Sequence, residues 1–510
     1  MKRCWWCCSL LILSAGCGGS EPSEKPEKPF AGRTVRVGVV GDAGLLTAIS
    51  AQSGEWSAET SATLSIAERP IEIDKVSEYD VVVFSGESTG ELVDRGLLTV
   101  WAETSLEPAA RVIEGEAPAP SEAGEESGDS FEFKDIIAAY RDQVTKYGSD
   151  RVSLPIGGTG LVLAYHRVAL ESPTILEAAR AAGIVLEVPK TWEEFDRIVA
   201  FLHGRDWSGD GKPDSGVALA WGADTEGIAV ATYLARAAAL GQHRDQYSFL
   251  FETDALRPRI TSPPFLEALV AHNALAKFAP SNPADLDIVA ARKAFRDSKV
   301  AFLIDRAEAI AQWNGEKPAP VGVAQLPGSM RVYDPSRKEW ETLSRANRPS
   351  LLPSGGGVVV GVVAAGAQRE AAENYARYLA GPSTSNRIRS DREFPMLATR
   401  NAQLGQGIAD PRSAPGVDPR GWAVAVGSTM NAVRVVVGLR IPGASGYLAD
   451  LSAGRLAALG GAPPEKALAD VAERWDARTE ALGRERQLWH YRRSLNNLVT
   501  TPEPPARPSK

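Results

Sequence analysis

Two short stretches carry residues whose types and spacing could do chemistry. Gly86-Glu87-Ser88-Thr89-Gly90 fits G-x-S-x-G and follows the apolar run Val81-Val82-Val83-Phe84. In hydrolases such a strand-to-helix turn exposes a serine, which a separate acid and a late histidine activate. Here Ser88 would be the nucleophile and His490 the base. That strand is early for a hydrolase, however, and His490 sits in an Arg-rich segment near the tail. The second stretch is Asp206-Trp207-Ser208-Gly209-Asp210-Gly211-Lys212-Pro213-Asp214. Asp206, Ser208, Asp210 and Asp214 stand at the first, third, fifth and ninth positions with Gly at the sixth, a spacing that can wrap calcium. Val217 holds the twelfth position instead of a bidentate Glu, so a structural calcium and an Asp/Gly-rich surface turn both remain open.

Other catalytic signals are absent from the sequence. His166, His203, His243, His272 and His490 have no H-E-x-x-H spacing, and no P-loop is present. Gly38, Gly41 and Gly44 are spaced too widely for a dinucleotide fingerprint. The chain is therefore expected to bind rather than to catalyse, with no cofactor beyond that calcium. The net charge of −8 comes without any long Lys/Arg run, which argues against nucleic acid as a partner.

The N-terminus has a basic start, Lys2-Arg3, an apolar stretch through Leu13, and small residues before Cys17. This reads as a secretory signal, and the apolar stretch is shorter than the ~20 residues that span a bilayer. Leu13-Ser14-Ala15-Gly16-Cys17 resembles the lipobox of bacterial lipoproteins, with Ser14 where that family usually has Leu. The resemblance implies lipidation at Cys17 and a membrane anchor on the periplasmic or extracellular face. All four cysteines lie in this leader, so the mature chain would have no disulfide. Residues 18–31, Pro-rich and charged, read as a flexible tether.

A chain of 510 residues exceeds what one core usually supports, so two lobes are expected. Strands at 34–40 and 80–84 alternate with helical stretches, which predicts α/β lobes. Residues 106–130 are Glu-, Ala-, Pro- and Gly-rich with few large apolar side chains, and read as a disordered acidic insertion. At 151–166 two strands flank Gly157-Gly158-Thr159-Gly160, which reads as a hinge whose glycines allow unusual backbone angles. Thr191 and Glu194 predict a capping box opening a helix.

The order of these features, together with Pro189-Lys190-Thr191-Trp192-Glu193-Glu194, the segment 292–304, Val321-Gly322-Val323-Ala324-Gln325, the glycine run 355–357 and Arg440-Ile441-Pro442-Gly443, resembles the sugar-binding (family 1) extracellular solute-binding proteins of ABC transporters. The resemblance implies a type II periplasmic-binding-protein-like α/β fold with mixed sheets and two hinged lobes. Lobe 1 would comprise 32–156 and 325–400, lobe 2 would comprise 157–322 and 401–497, and 498–510 would be a disordered tail. It also implies a monomer that closes on a small solute, a sugar in that family, about crossovers at 157–160 and 322–325 and hands it to ABC permease subunits. A solute-sensing receptor or scaffold with the same fold is the other non-catalytic reading.

Ligand contacts in such a receptor belong on loops after strands and at crossovers. That selects Asp42, Ser85, Glu87, Thr159, Trp221, Asp305, Arg306, Gly357 and Tyr447. Tyr447 and Trp221 are the expected aromatic platforms for the C–H faces of a sugar, with core packing as the competing role. For Asp42, Glu87, Asp305 and Arg306 the competing roles are helix capping and ion pairing.

Overall fold

The computed structural model describes residues 28–106, 131–224, 226–313, 320–404, 414–496 and 503–506. The signal segment with Cys17, most of the tether, nearly all of the acidic insertion and most of the tail lie outside the described residues. Among the described residues no helix is long and apolar enough to cross a membrane.

The chain opens with β1 (Thr34–Val39), α1 (Ala43–Ser50), α2 (Ser53–Thr60), β2 (Thr63–Ile66), β3 (Val81–Ser85) and α3 (Thr89–Asp94). Period-2 alternation puts Val35 and Val37 of β1 inward and Thr34 and Arg36 outward. Val81 to Phe84 of β3 are all buried, as befits a central strand covered on both faces. The short β4 (Lys146–Tyr147) and β5 (Asp150–Arg151) pair with each other, and β6 (Leu154–Gly158) follows. The first sheet has the order β2-β1-β3-β14-β6, where β14 (Gly357–Val362) returns from far along the chain and runs antiparallel to both its neighbours.

The second sheet begins at β7 (Leu161–His166). After it come α4 (Arg167–Glu171), α5 (Pro173–Ala181), α6 (Trp192–Leu202), β8 (Ser215–Ala218), α7 (Ile228–Gly241), α8 (Pro263–Ala274), α9 (Ile288–Arg296), β9 (Val300–Arg306), α10 (Ala307–Ile310) and β10 (Val321–Gln325). Its order is β10-β7-β9-β8, with β8 parallel and the other pairs antiparallel, so both sheets are mixed. The capping box forms at the start of α6: Glu194 N–H donates to Thr191 Oγ1, and the Glu194 carboxylate accepts from Thr191 N, each at 3.2 Å. Buried apolar side chains fall into two large clusters: one spans the first sheet and continues through Val162, Ala164, Leu303, Val321 and Val323 of the second, and the other takes Leu161, Leu163, Phe302 and Ile304 with the rest of the second lobe.

The crossovers differ from the sequence expectation in two ways. Between β6 and β7 the chain passes through Thr159-Gly160, but none of Gly157, Gly158 and Gly160 has a positive φ. They are glycines because Met396, Tyr140 and Met430 press where a Cβ would stand, so close packing rather than conformational freedom selects them. The return crossover also lies later than 322–325. β10 belongs wholly to the second sheet, and the hairpin of β11 (Ser329–Asp334) and β12 (Glu339–Asn347) packs against α7. Asn347 Nδ2 secures the hairpin by donating to the carbonyls of Ala239 and Gln242, at 2.8 and 3.2 Å. The chain re-enters the first sheet only after β13 (Ser350–Leu352), through Gly355, Gly356 and Gly357 at φ +65°, +100° and +123°. Here positive φ does require glycine.

α11 (Arg369–Ala380) and α12 (Pro382–Arg389) pack on the first sheet. α13 (Asn401–Leu404) precedes α14 (Pro419–Met430), which lies on β10, and β15 (Val435–Val437) pairs in parallel with β13. α15 (Ala444–Leu459) and α16 (Pro464–Leu482) pack on α7 and α8 of the second lobe. α17 (Arg484–Ser494) then sits between the lobes. Arg486, His490 and Arg493, spaced i, i+4, i+7 and so on one face, reach Asp94 and the β4–β5 ribbon of the first lobe. Tyr491 and Arg492 hold the second lobe: the Tyr491 hydroxyl accepts from the amides of Phe249 and Phe251 at 3.2 Å, and Arg492 donates to the Thr253 carbonyl at 2.7 Å.

Candidate functional site: an interlobe cleft

A cavity of about 980 Å³ lies between the lobes. The first lobe supplies Glu87 from the turn after β3, together with Asp142 and Gln143. The second supplies two helical stripes. Gly227, Val230, Ala231 and Leu234 come from the start of α7, and Ser445, Leu448, Ala449 and Ser452 from α15. Each set is spaced i, i+3, i+4, i+7, the period of one helix face. The β13–β15 ribbon and the segment 353–355 form the floor, and Tyr247 lies exposed at the rim.

The Glu87 turn is positioned by backbone against backbone. A Cβ on Gly86 would run into the Gly355 carbonyl oxygen, and one on Gly355 would run into the amide of Glu87. Ser85 Oγ ties the same two segments by donating to the Ser354 carbonyl at 3.0 Å. The Ser-Gly-Glu-Ser turn and the late glycine run are thus two halves of one device, which aims Glu87 into the cavity. Burial raises the Glu87 carboxyl above its ordinary value.

The other residues selected from sequence are placed elsewhere. Asp42 caps α1, accepting from Gly44 N at 2.7 Å and Leu45 N at 3.2 Å. Thr159 is buried in the crossover and donates to Glu308 Oε1 at 2.6 Å. Asp305 is fully buried, receives Arg292 at 2.7 and 2.9 Å, and belongs to a network in which Arg292 and Arg306 also meet Glu226. Gly357 starts β14, with its α-carbon against the Gly157 carbonyl. None of these lines the cavity.

The two expected aromatic platforms are corrected by burial. Trp221 lies wholly in the second-lobe core, with Nε1 donating to the His272 carbonyl at 3.3 Å. Tyr447 is also wholly buried, edge-on to Phe251 and Trp475, its hydroxyl 2.9 Å from Thr479 Oγ1. Residues 445, 448, 449 and 452 face the cleft, so Tyr447 on the same helix must face the core. That stripe mixes Ser445 and Ser452 with Leu448 and Ala449, so neither hydropathy nor polarity singles it out in the sequence. The exposed ring at the cleft is Tyr247, in a loop that sequence reasoning passed over.

No serine-hydrolase triad forms. His490 Nε2 meets Asp94 at 2.7 Å and Nδ1 meets the Tyr147 hydroxyl at 3.0 Å, so neither ring nitrogen is left for Ser88. In the Asp206–Asp214 loop the carboxylates brace the loop's own backbone. Asp206 accepts the amides of Gly209, Asp210 and Gly211, Asp210 that of Lys212, and Asp214 that of Ser208. Among the described residues no three His, Cys, Asp or Glu side chains converge to hold a metal.

Comparison with known proteins gives a fold and no close relative. No family model matches the sequence. No curated protein matches it either. Solved structures do match. The sugar-binding protein MalE of Xanthomonas citri superposes with a TM-score of 0.60 at 15% identity, covering 87% of this chain and 96% of its own. An ABC transporter solute-binding protein of Agrobacterium radiobacter K84 in complex with ribitol gives 0.57 at 16%, covering 88% and 100%. The maltose-bound MalE3 of T. maritima gives 0.57 at 15%, covering 87% and 99%. With this likeness covering 87–88% of the chain, the chain has the two-lobed α/β fold of the solute-binding proteins of ABC transporters.

Proposed function

We propose that this chain is an exported, lipid-anchored binding protein that captures a small solute between its lobes and delivers it to an ABC permease. One observation carries the reading: a cavity of about 980 Å³ walled by both lobes, in a fold shared with solute-binding proteins. That volume suits a ligand of disaccharide or drug-like size. The ligands named for the neighbours, ribitol and maltose, support carbohydrate as the class to test first. Tyr247 offers an aromatic face and Glu87 an acceptor for hydroxyls. Ligand touching both walls would stabilise the closed arrangement of the lobes over any open one. Anchoring through Cys17 rests on the lipobox-like sequence.

A thermal-shift screen of the purified chain against sugars, polyols and small organic solutes tests the proposal. A hit that raises the melting temperature in the wild type, and is lost when Ala449→Trp fills the cleft, supports it. A hit that Ala449→Trp leaves untouched would place binding elsewhere. The α17 contacts across both lobes favour a second reading, a receptor or scaffold whose lobes move little. Small-angle scattering that shows no compaction with bound ligand would select it.

A further inference from the structure

The charges around the cleft are sorted in a way that bears on what its ligand carries. Asp224 accepts the amides of Ala229 and Val230 at 2.9 Å each. Asp142 is held by Arg141 at 2.9 and 3.1 Å. His243 and Arg244 both meet Glu341, at 3.0 and 2.8 Å, and Arg434 donates to Asn347 Oδ1 at 2.8 Å. Glu87 differs. It stands half-buried where the main cavity meets an outer chamber of about 360 Å³, and has no ion-pair or hydrogen-bond partner among the described residues.

The outer chamber adds to the asymmetry. Glu72, Asp74, Glu87 and Glu91 line it against a single guanidinium, Arg95, which Asp74 and Glu91 already engage. Such a mouth attracts cations and repels anions. Beyond Glu87 an apolar strip runs along the wall, with Val230 and Leu234 of α7 facing Leu448 and Ala449 of α15 over Leu351 and Leu439, flanked by Ser445 and Ser452. A half-buried carboxylate without a partner favours a ligand that brings a counter-charge.

We propose that the solute is a cationic amphiphile, with an ammonium head on Glu87 and an apolar body along the α7–α15 wall. The proposal rests on the capture reading above and departs from carbohydrate as its ligand class. Its parts are complementary: the head supplies the charge Glu87 lacks, and the body covers the two helical stripes.

Calorimetric titration of the full chain with 4-phenylbutylamine, 4-phenylbutanol and maltose tests it. The amine, protonated at pH 7, is expected to bind at least tenfold more tightly than the alcohol of the same shape. Glu87→Gln should bring the amine to the affinity of the alcohol, and Ala449→Trp should weaken both. Should Ala449→Trp not fold, Ser452→Phe fills the same wall. Equal affinity for amine and alcohol, or an amine preference that survives Glu87→Gln, overturns the proposal. Maltose binding that Ala449→Trp abolishes, without amine binding, overturns it while leaving solute capture intact. Silence of all three probes overturns it as well, and the broader screen then decides the capture reading separately.

Discussion

Removing the Asp94 carboxylate should loosen α17 on the first lobe. Asp94 accepts from Arg486 Nε at 2.5 Å and lies 2.7 Å from His490 Nε2, with all three side chains largely buried. Burial opposes ionisation of Asp94, yet His490 and Arg486 outweigh it and bring the carboxyl down to about 2. Breaking one partner out of a buried charged cluster costs about 3–5 kcal/mol. The lower end applies here because Arg486 keeps the Pro505 carbonyl and His490 keeps Tyr147. About 3 kcal/mol corresponds to roughly two decades in an equilibrium constant at 1.36 kcal/mol per decade. In Asp94→Ala, amides of α17 should therefore exchange with deuterium about 100-fold faster, as followed by mass spectrometry of peptides covering 484–494. Asp94→Asn, which keeps an acceptor, should fall between. Since the folded pKa is depressed, the clamp is present above about pH 4 and is lost as pH falls toward 2. Wild-type exchange rates for α17 in Asp94→Ala at pH 7 would refute the reasoning, because the helix would then be held without Asp94, by Arg493 and its second-lobe contacts.

Further outcomes follow from other buried groups. Burial raises Glu308 to about 7, so the folded state favours its protonated form, and stability is lost as pH rises from 4.5 through 7. Glu308→Gln should thus stabilise by up to about 3 kcal/mol at pH 8 and by little at pH 4.5, as read from urea denaturation. His166 behaves oppositely. Stacked on Phe295 and Trp207, it is lowered by burial to about 4, so stability is lost as pH falls from 6.5 toward 4, by roughly 3 kcal/mol, and titration by NMR should find its ring neutral at pH 5. Gly86→Ala forces the Glu87 turn off the Gly355 carbonyl and should cost about 1–3 kcal/mol in denaturation.

What the sequence by itself determined was local. The alternation in Thr34–Val39, the apolar run of β3 and the Thr191/Glu194 capping box depend on neighbours within a few residues, and each forms where the pattern indicates. So does the position of Glu87 just after a strand end. Which face of a helix meets the cleft and which meets the core depends on what packs against it, and those partners lie on other elements of the chain. Tyr447 and Leu448 are adjacent in the chain, yet one is enclosed by Phe251 and Trp475 and the other lines the cavity. The glycines show the same division. At 355–357 the backbone itself needs them, whereas at 157–160 only the arrival of Met396, Tyr140 and Met430 does. Tertiary structure alone placed the β11–β12 hairpin on the second lobe and α17 between the lobes, because both depend on side chains such as Asn347, Arg486 and His490 finding partners far along the chain.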